Sequence, residues 1–439
     1  MSYLSDYQEF YVSHGTDCLS RLEHFVKGLV KCPKKKANCE GIADQVEGHD
    51  GQSINHFVSE SFWHAFQVMD RITIRAWNYL SRYFEKSMIG LIIDESGFKK
   101  HGRYSVCTAR QWLGCLGKQD NGQVFVAACL SAGKLFSLVQ MMLFMPKSWE
   151  KDRVRRKKCR VPKELKHETK IVMARKMIEK VQGLLGTKPF WVGFDSLYGC
   201  CYELLFWLEK TGQRFMGEIK GSTHFYTERP EIYRTVTKKG KKAKYYKTDQ
   251  KSIRLTKYLK NLKEADDFSL VGYREGTKSF MEARFHRRTI WIWEKNYDHP
   301  IECELLIKME EDGFKASWAS MSKELTTEKL AYMQGQRYFV EQSFKESKNQ
   351  VAIGDYQVRS WEGTHRHVAC SMLALNLLME KRHQYTRMYE HITVADIVKF
   401  ICLLIPDKLN SIEKMYDHFI DKHDKYSLQI NRANQKKQT

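Results

Sequence analysis

Two apolar runs that each end in an aspartate set the terms for this chain. One is Met88-Ile89-Gly90-Leu91-Ile92-Ile93-Asp94 and the other is Phe190-Trp191-Val192-Gly193-Phe194-Asp195. Short unbroken apolar runs of this kind predict strands buried on both faces, inside a sheet covered by helices. A third acid completes a pattern. Glu341 lies four residues after Arg337 and seven before Lys348, so this segment predicts a helix with guanidinium, carboxylate and ammonium on one stripe. Alone, that stripe is an ordinary solvated ion-pair ladder. Behind two strand-end aspartates, it suits a site that holds divalent metal against a phosphodiester.

The 439 residues are too many for one core, which seldom grows past roughly 250–300 residues, so two or three domains are expected. A net charge of +21 predicts a polyanionic partner, because Lys and Arg displace counterions from phosphates. The charge is clustered and aromatics are mixed into the clusters, which favours nucleic acid over a membrane surface. Twelve cysteines include no Cys-x2-Cys pair and no zinc-like spacing. With no signal peptide and no apolar run of about 18 residues, reduced thiols and a cytoplasmic location are expected.

In order, residues 1–85 read as a helical N-terminal DNA-binding region. It holds a helix from Leu4 to Val30, a candidate helix-turn-helix whose second helix is capped by Ser53, and an amphipathic helix from Phe62 to Tyr83. Two packed helices that never touch DNA would give the same pattern. Residues 86–221 carry the first part of a mixed-sheet α/β core. Its expected parts are the Asp94 strand, a hairpin turned at Asn121-Gly122, an apolar run from Leu135 to Met145, a helix from about Lys163 to Leu185 and the Asp195 strand. A helix over Tyr202–Lys210, ended by Gly212, and a strand over Arg214–Ile219 follow. Residues 222–325 form a basic, β-rich insertion. Residues 326–380 complete the core with the Glu341 helix and a very apolar helix over Val368–Met379. Residues 381–439 form a helical C-terminal region.

The DNA-binding candidates follow the basic clusters. Residues 147–180 hold 14 Lys/Arg against 5 Asp/Glu, with Arg155 and Arg156 at the centre, and Lys99 and Lys100 sit just after the first aspartate. Arg234–Lys260 holds 11 Lys/Arg and one acid, with Lys238, Lys239, Lys241 and Lys242 beside Tyr245, Tyr246 and Tyr258. Such mixing lets bases stack while phosphates are held, although a basic hairpin that only confers solubility looks similar. The triplet His365-Arg366-His367 is a poor metal site, because neighbours at a helix start diverge and Arg366 repels cations.

Phosphodiester cleavage requires neutralisation of a multiply charged phosphorus and an in-line nucleophile. Two Mg²⁺ or Mn²⁺ ions about 4 Å apart supply both, and hard cations take carboxylate oxygens. Asp94 is the expected bridging ligand, with Asp195 and Glu341 completing the set. Glu95 alternates to the other strand face and lacks that role. No phosphate loop of the Gly-x4-Gly-Lys kind and no Gly-x-Ser-x-Gly elbow occurs.

Over roughly residues 88–380 the chain resembles bacterial insertion-sequence DDE transposases with a Tyr-Arg-Glu-Lys signature. The matching residues are Asp94 in Asp94-Glu95-Ser96-Gly97, Asp195 in Asp195-Ser196-Leu197-Tyr198-Gly199, and Arg337, Glu341 and Lys348. The resemblance implies a ribonuclease-H-like core, two Mg²⁺ on Asp94, Asp195 and Glu341, and phosphate contacts from Arg337 and Lys348. It implies double-stranded DNA as partner (transposon ends and target), cut-and-paste chemistry and a homodimeric working form. It also makes Trp291 and Trp293 candidates for holding a flipped base. Gln334 stands where the family has its tyrosine. The rival expectations are a non-catalytic DNA-binding regulator and a plain endonuclease of the same fold.

Overall fold

The computed structural model describes all residues except 1, 14–15, 34, 190, 237–239, 263–267, 277–278, 321–324, 407, 409–411 and 439. The N-terminal part is helical, in more pieces than its periodicity suggests. A two-stranded hairpin, Val12–Ser13 with Thr16–Asp17, replaces the middle of the expected Leu4–Val30 helix. Helix α1 (Leu19–Lys31) follows, then α2 (Cys39–Ala43), α3 (Gly51–Ser59) and α4 (Ala65–Tyr83). The cap of α3 is Asp50, not Ser53. Its carboxylate accepts the Ser53 amide at 2.8 Å, one of the donors a helix start leaves unpaired.

Ten strands form one mixed sheet: β1 (Gly90–Lys99), β2 (Ala109–Leu113), β3 (Lys118–Ala132), β4 (Leu135–Leu143), β5 (Trp191–Phe194), β6 (Phe215–Glu218), β7 (Ser269–Glu275), β8 (Phe280–Ile292), β9 (Ile301–Glu310) and β10 (Gly313–Ala319). Their order is β7-β8-β9-β10-β6-β5-β1-β3-β2, with β4 also paired to β3. The β1–β5 and β5–β6 pairs are parallel and the others antiparallel. The β-rich insertion therefore does not stand apart. Strand β10, which the sequence reading missed, pairs with β6 at Ser317↔Glu218, Trp318↔Gly217 and Ala319↔Met216, and so extends the central sheet.

The expected hairpin is moved. Asn121 and Gly122 lie inside β3, and the turn before it is the short 3₁₀ stretch Gly114–Leu116, closed by Gly117 at φ 61°. Gly122 is required by close approach: a Cβ there would meet the Phe98 carbonyl oxygen at 2.5 Å and Leu113 Cδ1 at 2.7 Å.

Helices α5 (Lys170–Leu185), α6 (Ser196–Gly199) and α7 (Tyr202–Lys210) lie between strands, as βα alternation requires. After the sheet come α8 (Thr327–Gln336), α9 (Tyr338–Gln350), α10 (Trp361–Thr386), α11 (Val394–Leu404) and α12 (Ile412–Gln438). Helix α10 begins seven residues earlier than its apolar stretch, capped by Ser360. It packs on α1, α3, α4, α11 and β4. One contiguous core runs from Tyr3 to Ile397, so residues 1–85 share their interior with the sheet. No described helix is long and apolar enough to cross a membrane.

Candidate active site

The two aspartates meet because two parallel ladders end at the same level. The last β1–β5 pair is Ile93↔Phe194, so Asp94 and Asp195 are the next residues on strands about 4.8 Å apart. The ends differ, however. Asp195 does end its strand and caps α6, its Oδ1 accepting the Leu197 amide at 2.9 Å. Asp94 sits in mid-strand, because β1 continues to Lys99 along its other partner, β3. Asp94 Oδ1 accepts the Glu95 amide at 2.7 Å. Burial and the adjacent Asp195 push the Asp94 carboxyl up to about 7, with Glu341 acting in the same sense against the Glu95 amide and Arg337.

Glu341 arrives from the first turn of α9. Arg337, at the junction of α8 and α9, links it to the sheet: Nη1 lies 3.0 Å from Glu341 and Nη2 lies 3.0 Å from Glu218. Burial disfavours the Arg337 charge, but Glu218, Glu341, Asp94 and Asp195 together hold its pKa above the ordinary value. Four carboxylates thus surround one guanidinium. Sequence reasoning missed Glu218, although its signal was present: it too ends a short strand, Phe215-Met216-Gly217-Glu218, after the same pattern as Asp195.

Lys348 lies two turns beyond Glu341. Its Nζ stands 3.4 Å from the Gly97 carbonyl and 5.2 Å from the Phe98 ring centre, and burial lowers its pKa. It borders β1 three residues past Asp94. Gln334 also faces this region and donates to Ser317 Oγ at 3.0 Å.

The other candidates are scattered. Lys100 donates to the Gly354 and Tyr356 carbonyls at 2.8 and 2.7 Å, and burial pushes it down to about 7. Arg155 and Arg156 also have local partners. Arg155 is held by Asp152 at 2.6 Å and by the Ser148 carbonyl, and Arg156 by the Pro162, Lys163 and Leu165 carbonyls. Lys99 is exposed and pairs with Asp120 at 3.3 Å. Lys241 and Lys242 are exposed on the insertion, and Lys238 and Lys239 lie outside the described residues. Tyr258 is buried against His286. Trp291 and Trp293 lie away from the aspartates. The level of Asp195 passes through Glu218, Ser317, Leu306 and Arg287, and Trp291 is four residues further toward the opposite sheet end, about 13 Å along the strand.

Among the described residues, no three His, Cys, Asp or Glu side chains gather closely enough to hold a metal ion. The cause is visible in the contacts: Glu341 is drawn to Arg337, while Asp94 and Asp195 are occupied by amides. The donors nonetheless suit a hard divalent cation. They are carboxylate oxygens, and the Asp94 carboxyl is raised by burial and by its neighbours Asp195 and Glu341 in spite of Arg337.

A family model described as DDE superfamily endonuclease matches residues 11–279, more than half of the chain. The chain belongs to the DDE superfamily endonucleases. The match spans both aspartates and stops before Glu341. Enzymes of this superfamily use divalent metal ions, in keeping with the carboxylates of this DDE endonuclease. It is also similar to a probable transposase for insertion sequence element IS701 from Microchaete diplosiphon, 29% identical over 202 residues. That alignment covers 45% of this chain, which thus spans about half (48%) of the length of the curated relative it matches.

Proposed function

We propose that this DDE endonuclease is an insertion-sequence transposase that cuts the element's ends and joins the freed 3′-hydroxyl to target DNA. The observation that carries the reading is the joint placement of Asp94 and Asp195 at the ends of two parallel ladders, with Glu341 tied to the same point through Arg337. The core is read as ribonuclease-H-like, and Asp94, Asp195 and Glu341 as the residues that would hold two Mg²⁺ or Mn²⁺ ions. When bound, such ions offset the charge that builds on phosphorus and lower the pKa of the attacking hydroxyl.

The chain's own residues supply the rest. Glu341 leaves Arg337 to reach the aspartates, and its half-open carboxylate, 53% exposed, has room to turn. The guanidinium edge that it vacates then faces the phosphate and donates two parallel hydrogen bonds to it. Glu218 keeps the other edge of Arg337 fixed, so the guanidinium stays in place. Lys348 adds a point charge along β1. The exposed cations of the insertion, Lys241 and Lys242, hold the flanking duplex.

The test uses purified protein, Mg²⁺ and the DNA that flanks the gene, with wild type beside Asp94→Asn and Glu341→Ala. Discrete cuts at repeat ends, joined to target by the wild type alone, are expected, with a loss of at least about 10³-fold in either variant. Full cleavage by either variant would overturn the assignment. Cuts without joined product would identify a plain endonuclease, and tight binding without cutting a DNA-binding regulator.

A further inference from the structure

Beside the carboxylates lies a cavity of about 180 Å³, walled by β7, β9 and β10 on one side and by the α8–α9 junction on the other. Its charges are unequal. Lys308 is answered by Glu310 at 3.0 Å, Lys315 by Glu218 at 3.4 Å, and Arg337 by Glu218 and Glu341. Arg274 is different. Its guanidinium rests 3.7 Å from the centre of the Tyr338 ring, and its Nη2 is 3.1 Å from Met281 Sδ. Neither contact neutralises it. Its Nε is buried and has no hydrogen-bond partner, and among the described residues no carboxylate pairs with it. The covered Nε is out of reach, but the Nη end of this half-buried guanidinium lies at the cavity with no carboxylate to answer it, which leaves a cation for an oxyanion from outside. The cavity is too small for a duplex and is shared with Arg337 and Glu341.

We propose that this cavity is a subsite for a DNA backbone phosphate next to the scissile one. Arg274 takes two of its oxygens in a fork, Lys308 adds a second charge, and the Tyr338 ring packs on the attached sugar. The planar fork of Arg suits phosphate, and an aromatic face below it fixes the plane without competing for the anion. The subsite rests on the reading of this protein as a DNA-cutting enzyme and adds to it a register. With Arg274 on β7 and Glu341 on α9, the strand to be cut is gripped on the insertion side of the catalytic carboxylates.

A phosphate-neutralisation scan tests it. Duplexes of the flanking DNA carry a single methylphosphonate at successive positions of the cut strand, and binding to the full chain is titrated without metal. The wild type is compared with Arg274→Ala and with Arg274→Gln, which retains much of the side-chain volume; thermal melting checks that both fold. At one position, next to the cut, neutralisation is expected to weaken wild-type binding about tenfold and to leave both variants unchanged, since the lost hydrogen bonds are charge-assisted. Absence of such a position in the wild type, or the same penalty persisting in both variants, overturns the subsite. The two readings fail separately. A positive scan with no Mg²⁺-dependent cut removes the proposed function and keeps the phosphate site, and cutting with a flat scan does the reverse.

Discussion

Arg337 gives the site its shape, and its contacts make a sharp test. It is held from two sides, by Glu218 and Glu341. Glu218→Gln removes the charge that answers Arg337 and Lys315 while keeping the side-chain shape. Because that ion pair anchors Arg337, Glu218→Gln is expected to lower the cleavage rate about tenfold with little change in DNA affinity, and Arg337→Lys about 10–100-fold, since a point charge cannot replace a planar guanidinium that meets two carboxylates. Single-turnover kinetics beside equilibrium binding separate the two effects. A second residue-scale prediction concerns pH. His365 is enclosed between the Trp361 carbonyl and the Leu143 amide, against Phe66 and Phe125, and His367 lies on the Ala352 carbonyl with Lys100 nearby. Burial pushes both rings down to about 4. The unfolded rings therefore bind protons first. The stability they contribute is complete above about 6.5 and is lost as pH falls from 6.5 toward 4, by about 3 kcal/mol per ring. Urea unfolding at pH 7 and pH 5 should show the drop, and His365→Phe should remove about half of it.

At the scale of elements, local signals were read well wherever a segment's neighbours are local. The Tyr202–Lys210 helix, ended by Gly212 at φ 66°, and the Ala65–Tyr83 helix were visible in periodicity and termination. The aspartates were legible because a strand buried on both faces must be apolar, and an acid at its end is conspicuous. The failures are non-local. Asn121-Gly122 has the chemistry of a turn, but its glycine serves a close crossing with Phe98 and Leu113. Asp94 looked terminal because apolar character stops there, while the antiparallel ladder to β3 carries the strand five residues further. In the basic run at 153–160, Arg155 pairs with Asp152 and Arg156 donates to the carbonyls of its own loop, contacts that no composition count reveals. Gly199 offers the test at this scale. A Cβ there would stand 2.1 Å from the Glu218 carbonyl oxygen, so α6 and the end of β6 touch through it. Gly199→Ala is expected to cost about 1–3 kcal/mol in denaturant unfolding and to reduce cleavage further than that loss explains, because Asp195 and Glu218 are forced apart.

For the molecule as a whole, the contiguous core decides what can be cut away. Arg366, on α10, donates to the Val58 and Trp63 carbonyls, which closes the N-terminal helices onto the central helix. Residues 1–85 expressed alone, and residues 222–325 expressed alone, are expected to lack a cooperative melting transition, since each leaves its apolar partners behind. Calorimetry on the fragments checks this, and a sharp transition in either would show a self-sufficient unit. The ten-strand sheet has one more consequence. Its outer strands and its catalytic strands are joined at three residue pairs, and Glu218 belongs to one of them. Through that seam the insertion strands share a backbone ladder with the residue that anchors Arg337, so a substitution that breaks one of the three pairs, such as Trp318→Pro, is expected to slow cutting without removing a carboxylate.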